Sequence, residues 1–215
     1  MDAEVFRAWI VSAAGVIEAN RDHLTQLDAA IGDADHGINL SRGFTAVLGA
    51  LDAAEAKTST PGAILTLTGN TLISKVGGAS GPLYGTAFRR AGKALGGAAD
   101  VDLAALSAAL DAALAGVQQL GAAREGDKTM VDALAPAARA FSKAIAAGAS
   151  PDDALSVLVE AATAGAAATV PMQALKGRAS YLGPRSVGHE DPGAASTALI
   201  LAALRDAAAA AAGAP

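Results

Sequence analysis

The sequence predicts an all-α fold, and three observations carry that reading. Apolar residues make up 52% of the chain while aromatics make up only 3%. Alanine and leucine, both strong helix formers, therefore supply most of the hydrophobic content. Apolar residues recur at three- and four-residue spacing along most of the chain, which puts them on one side of a helix. No stretch shows sustained period-two alternation rich in β-branched residues, the pattern of a half-buried strand.

Taken in order, Val5, Phe6, Trp9, Ile10, Ala13, Val16 and Ile17 form the first apolar stripe, and Leu40, Phe44, Val47, Leu48 and Leu51 repeat it. Asp102 reads as the N-cap of a helix carrying Leu103, Leu106, Leu110, Leu114 and Val117. Pro151 and Asp152 open another, with Leu155, Leu158 and Val159 inward. The last helix runs from about Pro192 towards Ala212, and the Ala-rich tail from Ala207 to Pro215 is expected to fray. No linker or fixed-period repeat divides the chain, so a single domain over residues 1–215 is expected.

Composition excludes several function classes. A net charge of −5 disfavours both a nucleic-acid partner and an anionic membrane. The absence of cysteine removes disulfides and thiolate metal sites, and fits a reducing compartment. Asp2 and Glu4 stand where a secretory signal needs positive charge, so no export signal is expected. The uncharged runs Thr58 to Ser74 and Ala161 to Leu175 are broken by proline, glycine and threonine or are too short for a bilayer span. The expectation is a soluble cytoplasmic protein.

Chemistry-bearing residues gather in four interhelical stretches, 28–39, 76–85, 121–132 and 177–193. In a helical bundle, loops at one end can converge on a site. In the first stretch Asp28, Asp33 and Asp35 fall within eight residues, with Gly32 and Gly37 permitting tight turns. Three carboxylates held together repel one another unless a cation or water screens them. All-oxygen donors suit Mg²⁺ or Ca²⁺, and three aspartates suit two Mg²⁺ ions bridging a polyphosphate. Spacing alone also allows Asp28 to be a helix cap and the other two to be turn residues. The loop lacks the ligand register of an EF-hand. With only three histidines, His23, His36 and His189, a zinc site is not expected around His36.

The second stretch, VGGASGPLYG from Val76 to Gly85, offers backbone N–H groups and the Ser80 hydroxyl to an anion, with a helix expected from about Pro82. The third, GAAREGDKT from Gly121 to Thr129, misses the P-loop pattern by one residue. Asp127 intervenes between Gly126 and Lys128 and no strand precedes it, so a P-loop is rejected. Thr129 and Met130 are placed to line a base slot, or simply to pack. The fourth, from Lys176 to Ala194, carries Arg178, Arg185, His189 and Asp191. Arginine suits bidentate phosphate recognition, and Asp191-Pro192-Gly193 reads as a capped helix start.

The segments LDAAIGDADHGINLSRGF, VGGASGPLYG, GDKTMVDAL and GRASYLGPRSVGHEDPGA together resemble the ADP-binding L-subunit (DhaL) family of dihydroxyacetone kinases, across nearly the whole chain. The resemblance implies a closed barrel of about eight antiparallel helices with the nucleotide in the loops at one end. It implies that Asp28, Asp33 and Asp35 hold two Mg²⁺ ions bridging the phosphates of ADP or ATP. His36, Asn39, Ala79 and Ser80 would contact phosphate or ribose, with Gly37 and Gly78 beside them, while Gly121, Thr129 and Met130 would line the adenine pocket. Arg178 would lie near the terminal phosphate, and Asp191, Pro192 and Gly193 would close the site. The sequence departs from the family at Ala34, where glycine is usual, and at Pro184, where glutamate is common.

By the same resemblance the partners are a K-type subunit that binds dihydroxyacetone and an M-type subunit whose phosphohistidine converts ADP to ATP in place. A homodimer is left open. Two competing readings are an ATP-dependent kinase subunit for another ketose or polyol, and a non-catalytic helical barrel whose apolar interior takes a lipid or partner helix.

Overall fold

The computed structural model describes residues 1–54 and 58–213, and among them there are nine α-helices, one 3₁₀ segment and no strand. The helices are α1 (Ala3–Ala19), α2 (Arg21–Ile31), α3 (His36–Ala53), α4 (Pro61–Lys75), α5 (Ser80–Leu95), α6 (Leu103–Gly121), α7 (Val131–Ala146), α8 (Pro151–Ala168) and α9 (Pro192–Ala212); the 3₁₀ segment is Arg178–Ser186.

Local chemistry sets most of the starts. Asp102 accepts the Ala105 N–H at 2.7 Å, Ser150 accepts that of Asp153 at 3.2 Å, and Asp191 accepts that of Ala194 at 2.7 Å. Each satisfies an orphan amide of a first turn. Proline follows Thr60, Ser150 and Asp191 at the first helical position, where its missing N–H costs nothing. Two boundaries differ from expectation. Helix α5 begins at Ser80, two residues before Pro82, because proline is tolerated inside a first turn. The tail is helical to Ala212 with Ala207 buried, whereas Ala214 and Pro215 lie outside the described residues.

Eight helices form a closed ring in the order α1, α3, α4, α5, α6, α7, α8, α9 and back to α1, each packed on the next. The ninth, α2, separates from α1 at Asn20 and packs outside the ring on α3. Closure between α1 and α9 is reinforced by Trp9, whose indole N–H donates to Ile200 O at 2.9 Å. Phe6 and Trp9 meet edge to face at 5.8 Å, as do Phe44 and Phe88 at 6.2 Å. These rings and the buried leucines and isoleucines fill the interior. The apolar cavity left between Trp9, Phe88, Leu110 and Leu201 is about 60 Å³, far below the several hundred Å³ that a ligand pocket needs. A lipid-filled barrel is therefore overturned. Helices α6 and α9 are long and apolar enough to cross a membrane by length and composition alone, but alanine supplies much of that hydropathy and both are staves of the ring.

Helices α4 and α5 approach unusually closely through glycine. A Cβ on Gly69 would lie 2.5 Å from Gly85 O and 2.6 Å from Arg89 N, whereas one on Gly15 in α1 would meet nothing within 4 Å. Alanine is the better helix former, so Gly15→Ala should stabilise the fold by about 0.5–1 kcal/mol in chemical denaturation. Gly69→Ala should instead destabilise it by about 2 kcal/mol, because backbone must move. Equal effects at the two positions would contradict the packing described.

Candidate functional site

The α2–α3, α4–α5, α6–α7 and α8–α9 connections converge on one cleft of about 280 Å³. Every second connection of an antiparallel ring emerges at the same end, so four sequence-distant stretches meet there.

The acidic group sits where α2 hands over to α3. Asp28 lies in the last turn of α2, and its Oδ2 accepts the N–H groups of Asp35 at 2.8 Å and His36 at 3.1 Å. It thus caps the first turn of α3 from the preceding helix. Gly32 makes room for this carboxylate, since a Cβ there would fall 2.0 Å from Asp28 Oδ1. Ala34 has a φ of 61°, a left-handed conformation that is costly for a residue with a Cβ. That turn brings Asp33 and Asp35 back beside Asp28, and one ligand oxygen from each lies within 4.8 Å of the others. The site thus keeps the backbone geometry of a glycine at the cost of local strain. All three carboxylates lie at the positive end of α3, which favours negative charge. Arg178 Nε donates to Asp33 Oδ2 at 2.9 Å and brings a guanidinium to the same group.

The opposite wall is the start of α5, where Gly78, Ala79 and Ser80 line the cleft and no side chain caps the first turn. Behind them runs a buried polar chain. Ser196 Oγ lies 2.8 Å from both Pro192 O and His36 Nε2. On the other side of the ring, His36 Nδ1 hydrogen-bonds Ser80 Oγ at 3.0 Å. Burial, only partly offset by Asp28, lowers the His36 pKa to about 4, so the ring is neutral near pH 7. Tyr84 OH donates to Gly193 O at 2.8 Å and lies 2.7 Å from Ser196 Oγ; burial pushes its pKa up.

Gly121, Thr129 and Met130 supply the third wall, beside Leu83 and Val117, and Met130 also belongs to the core. Asp132 holds that connection by accepting Thr129 N–H at 2.7 Å and Gly126 N–H at 2.5 Å. Asp191, Pro192 and Gly193 close the cleft from the start of α9. Two expected residues lie apart from the lining. Gly37 packs against α2, where a Cβ would meet Arg21 O at 2.0 Å. Asn39 lies under Gly77, and its Oδ1 accepts from Arg42 at 2.8 Å.

The model of the DAK2 domain family matches residues 30–206. The chain belongs to that family. It is 42% identical to the ADP-binding subunit DhaL of the PEP-dependent dihydroxyacetone kinase of Escherichia coli, over 90% of this chain and 91% of that one. It is 41% identical to the corresponding subunit of dihydroxyacetone kinase 2 of Listeria innocua, over 94% and 93%. Among solved structures it resembles the dihydroxyacetone kinase from C. freundii in complex with AMP-PNP and Mg²⁺, with a TM-score of 0.65 and 31% identity over 93% of this chain. The chain spans about a third of the length of that protein, 33%.

Sequence reasoning missed three polar members of this DAK2 domain site. Lys128 was set aside together with the rejected P-loop, yet it is buried, lines the cleft and has a φ of 62°. Tyr84 and Ser196 look like ordinary helix residues until the ring closes; a hydroxyl facing inward on each helix is the one available signal.

Asp191 supplies a pH test. Burial is the main cause that raises its carboxyl from 3.8 to about 7; the Ala194 N–H opposes the rise, Asp132 adds to it and Lys128 pulls it down. A raised folded-state pKa contributes stability below the unfolded value and loses it as pH rises through the folded one. Asp191→Asn keeps a capping oxygen and cannot titrate. Between about pH 4 and 8 the wild type should lose about 2–4 kcal/mol relative to this variant in denaturant unfolding. A pH-independent difference would contradict the assignment.

Proposed function

We propose that this DAK2 domain, as a single unit over residues 1–215, is the nucleotide-binding subunit of a dihydroxyacetone kinase. In this reading it holds ADP or ATP with two Mg²⁺ ions on Asp28, Asp33 and Asp35. The γ-phosphoryl passes to dihydroxyacetone on a K-type partner, and an M-type phosphohistidine subunit restores ATP from ADP in place. A cytoplasmic location goes with this reading. The observation that carries it is the gathering of three carboxylates within 4.8 Å at the head of α3, beside a guanidinium and inside a cleft. Further support comes from the names of the relatives, two ADP-binding subunits, and from the AMP-PNP and Mg²⁺ in the C. freundii structure.

The donors fit the metal, since every ligand atom in the cluster is a hard carboxylate oxygen. When bound, the ions neutralise phosphate charge and orient the polyphosphate for transfer. The chain's own residues do the rest. The open first turn of α5 offers amide donors to phosphate oxygens. Neutral His36 orients the Ser80 hydroxyl without adding a competing charge. Met130, Leu83 and Val117 give an apolar slot for a base. Arg178 adds positive charge for the transferring group. Phosphoryl transfer asks mainly for positioning and charge neutralisation, so no protein nucleophile is needed.

Asp33→Asn should weaken Mg²⁺-dependent ADP binding by about 100-fold in isothermal calorimetry, with far-UV dichroism unchanged. Unaltered affinity would sink the reading. In the coenzyme form of the mechanism, protein purified without added nucleotide releases ADP on denaturation; release of none would favour exchangeable ATP.

A further inference from the structure

Lys128 is the largest charged side chain hidden in the fold, only 1% exposed. An ammonium is rarely buried, and a left-handed φ on a residue with a Cβ is itself strained. Its Nζ donates to Thr169 O at 2.8 Å and to His189 O. Those two carbonyls are the feet of one loop. Thr169 ends α8, and its hydroxyl accepts the Asp191 N–H at 2.9 Å. One step further out, Gly188 N–H bonds Val170 O at 2.8 Å. Residues 170–190 therefore leave and return at one point. The backbone beside Lys128 also reaches into this loop, where Leu175 N–H bonds Asp127 O at 3.0 Å. The loop carries Lys176, Gly177 and Arg178 to the cleft wall, and Arg178 pairs there with Asp33 at 2.9 Å.

We infer that Lys128 is a positioning residue whose buried ammonium clamps both feet of the 170–190 loop, holds Arg178 against the aspartate cluster and so sets how long a bound nucleoside diphosphate stays. An apolar side chain would fill the same space without pulling the two carbonyls together. The hydrogen bonds of its ammonium go to the feet of the loop and not to the cluster or to Arg178, so it acts through the loop. Only the residence-time part rests on the nucleotide reading.

The test compares wild type with Lys128→Met, which keeps length and removes the donor. Two rates are read: tryptic cleavage after Lys176, Arg178 and Arg185 in protein free of nucleotide, and release of a fluorescent ADP analogue in Mg²⁺. Losing charged hydrogen bonds should speed both by about tenfold, while cleavage in the barrel helices stays as in wild type. Both rates unchanged in a folded variant would overturn the clamp. So would a parallel rise in cleavage throughout the chain, which marks a merely structural role. Should Lys128→Met fail to fold, Thr169→Val loosens the same neck by removing the acceptor of the Asp191 N–H, and the same two rates decide with smaller expected increases. A wild type that binds no Mg²⁺–ADP would defeat the nucleotide reading, and the proteolysis arm would still decide the clamp.

Discussion

One carboxylate organises this molecule's working end. Asp28 Oδ2 accepts the amides of Asp35 and His36 and thereby starts α3 from the end of α2. The same group is one corner of the three-aspartate cluster. Cap and cluster member are usually alternative readings of an aspartate; here one side chain is both. The capping bonds fix the carboxylate's position, and that position decides where Asp33 and Asp35 must fold back to meet it. Gly32 leaves it room, and Ala34 accepts a left-handed turn to complete the return. The strain at Ala34 persists because the cap on one side and α3 on the other over-determine the loop.

The ring of helices makes this economical. Its packed aromatic and aliphatic interior gives a stiff frame, and its antiparallel order delivers alternate connections to the same end. Beneath the cleft, polar side chains enter the frame as a connected group. His36, Tyr84, Ser196 and Thr197 satisfy one another there, with Ser80 as the end of the chain that reaches the cleft. A satisfied buried network holds one geometry firmly, whereas a half-satisfied one is costly. Lys128 does for the long α8–α9 connection what Asp28 does for the α2–α3 turn, tying a functional loop to the frame through backbone atoms.

Much of this was legible in the sequence because it depends on short-range chemistry. Asp102, Ser150-Pro151 and Asp191-Pro192 announce helix starts through caps that act within three residues. The apolar stripes of α1, α3, α6 and α8 marked residues that are largely buried. Ring closure was legible only through the family resemblance, since no local signal says that α1 meets α9. The break at Asn20, with neither glycine nor proline, gives no warning that α2 leaves the ring. Most expected site residues line the cleft, but Gly37 and Asn39 sit behind it, because motif membership does not say which face a residue takes. Lys128 finds its acceptors 41 and 61 residues away, beyond any pattern read along the chain.

The working end described here requires that the three aspartates hold the cations that bridge a nucleotide. Crystals grown with Mn²⁺ and ADP, measured at the manganese edge, test this directly. Two anomalous peaks are expected within about 2.3 Å of carboxylate oxygens of Asp28, Asp33 and Asp35, each also touching phosphate. Nucleotide bound in another groove, or manganese absent from these carboxylates while ADP occupies the cleft, would contradict it.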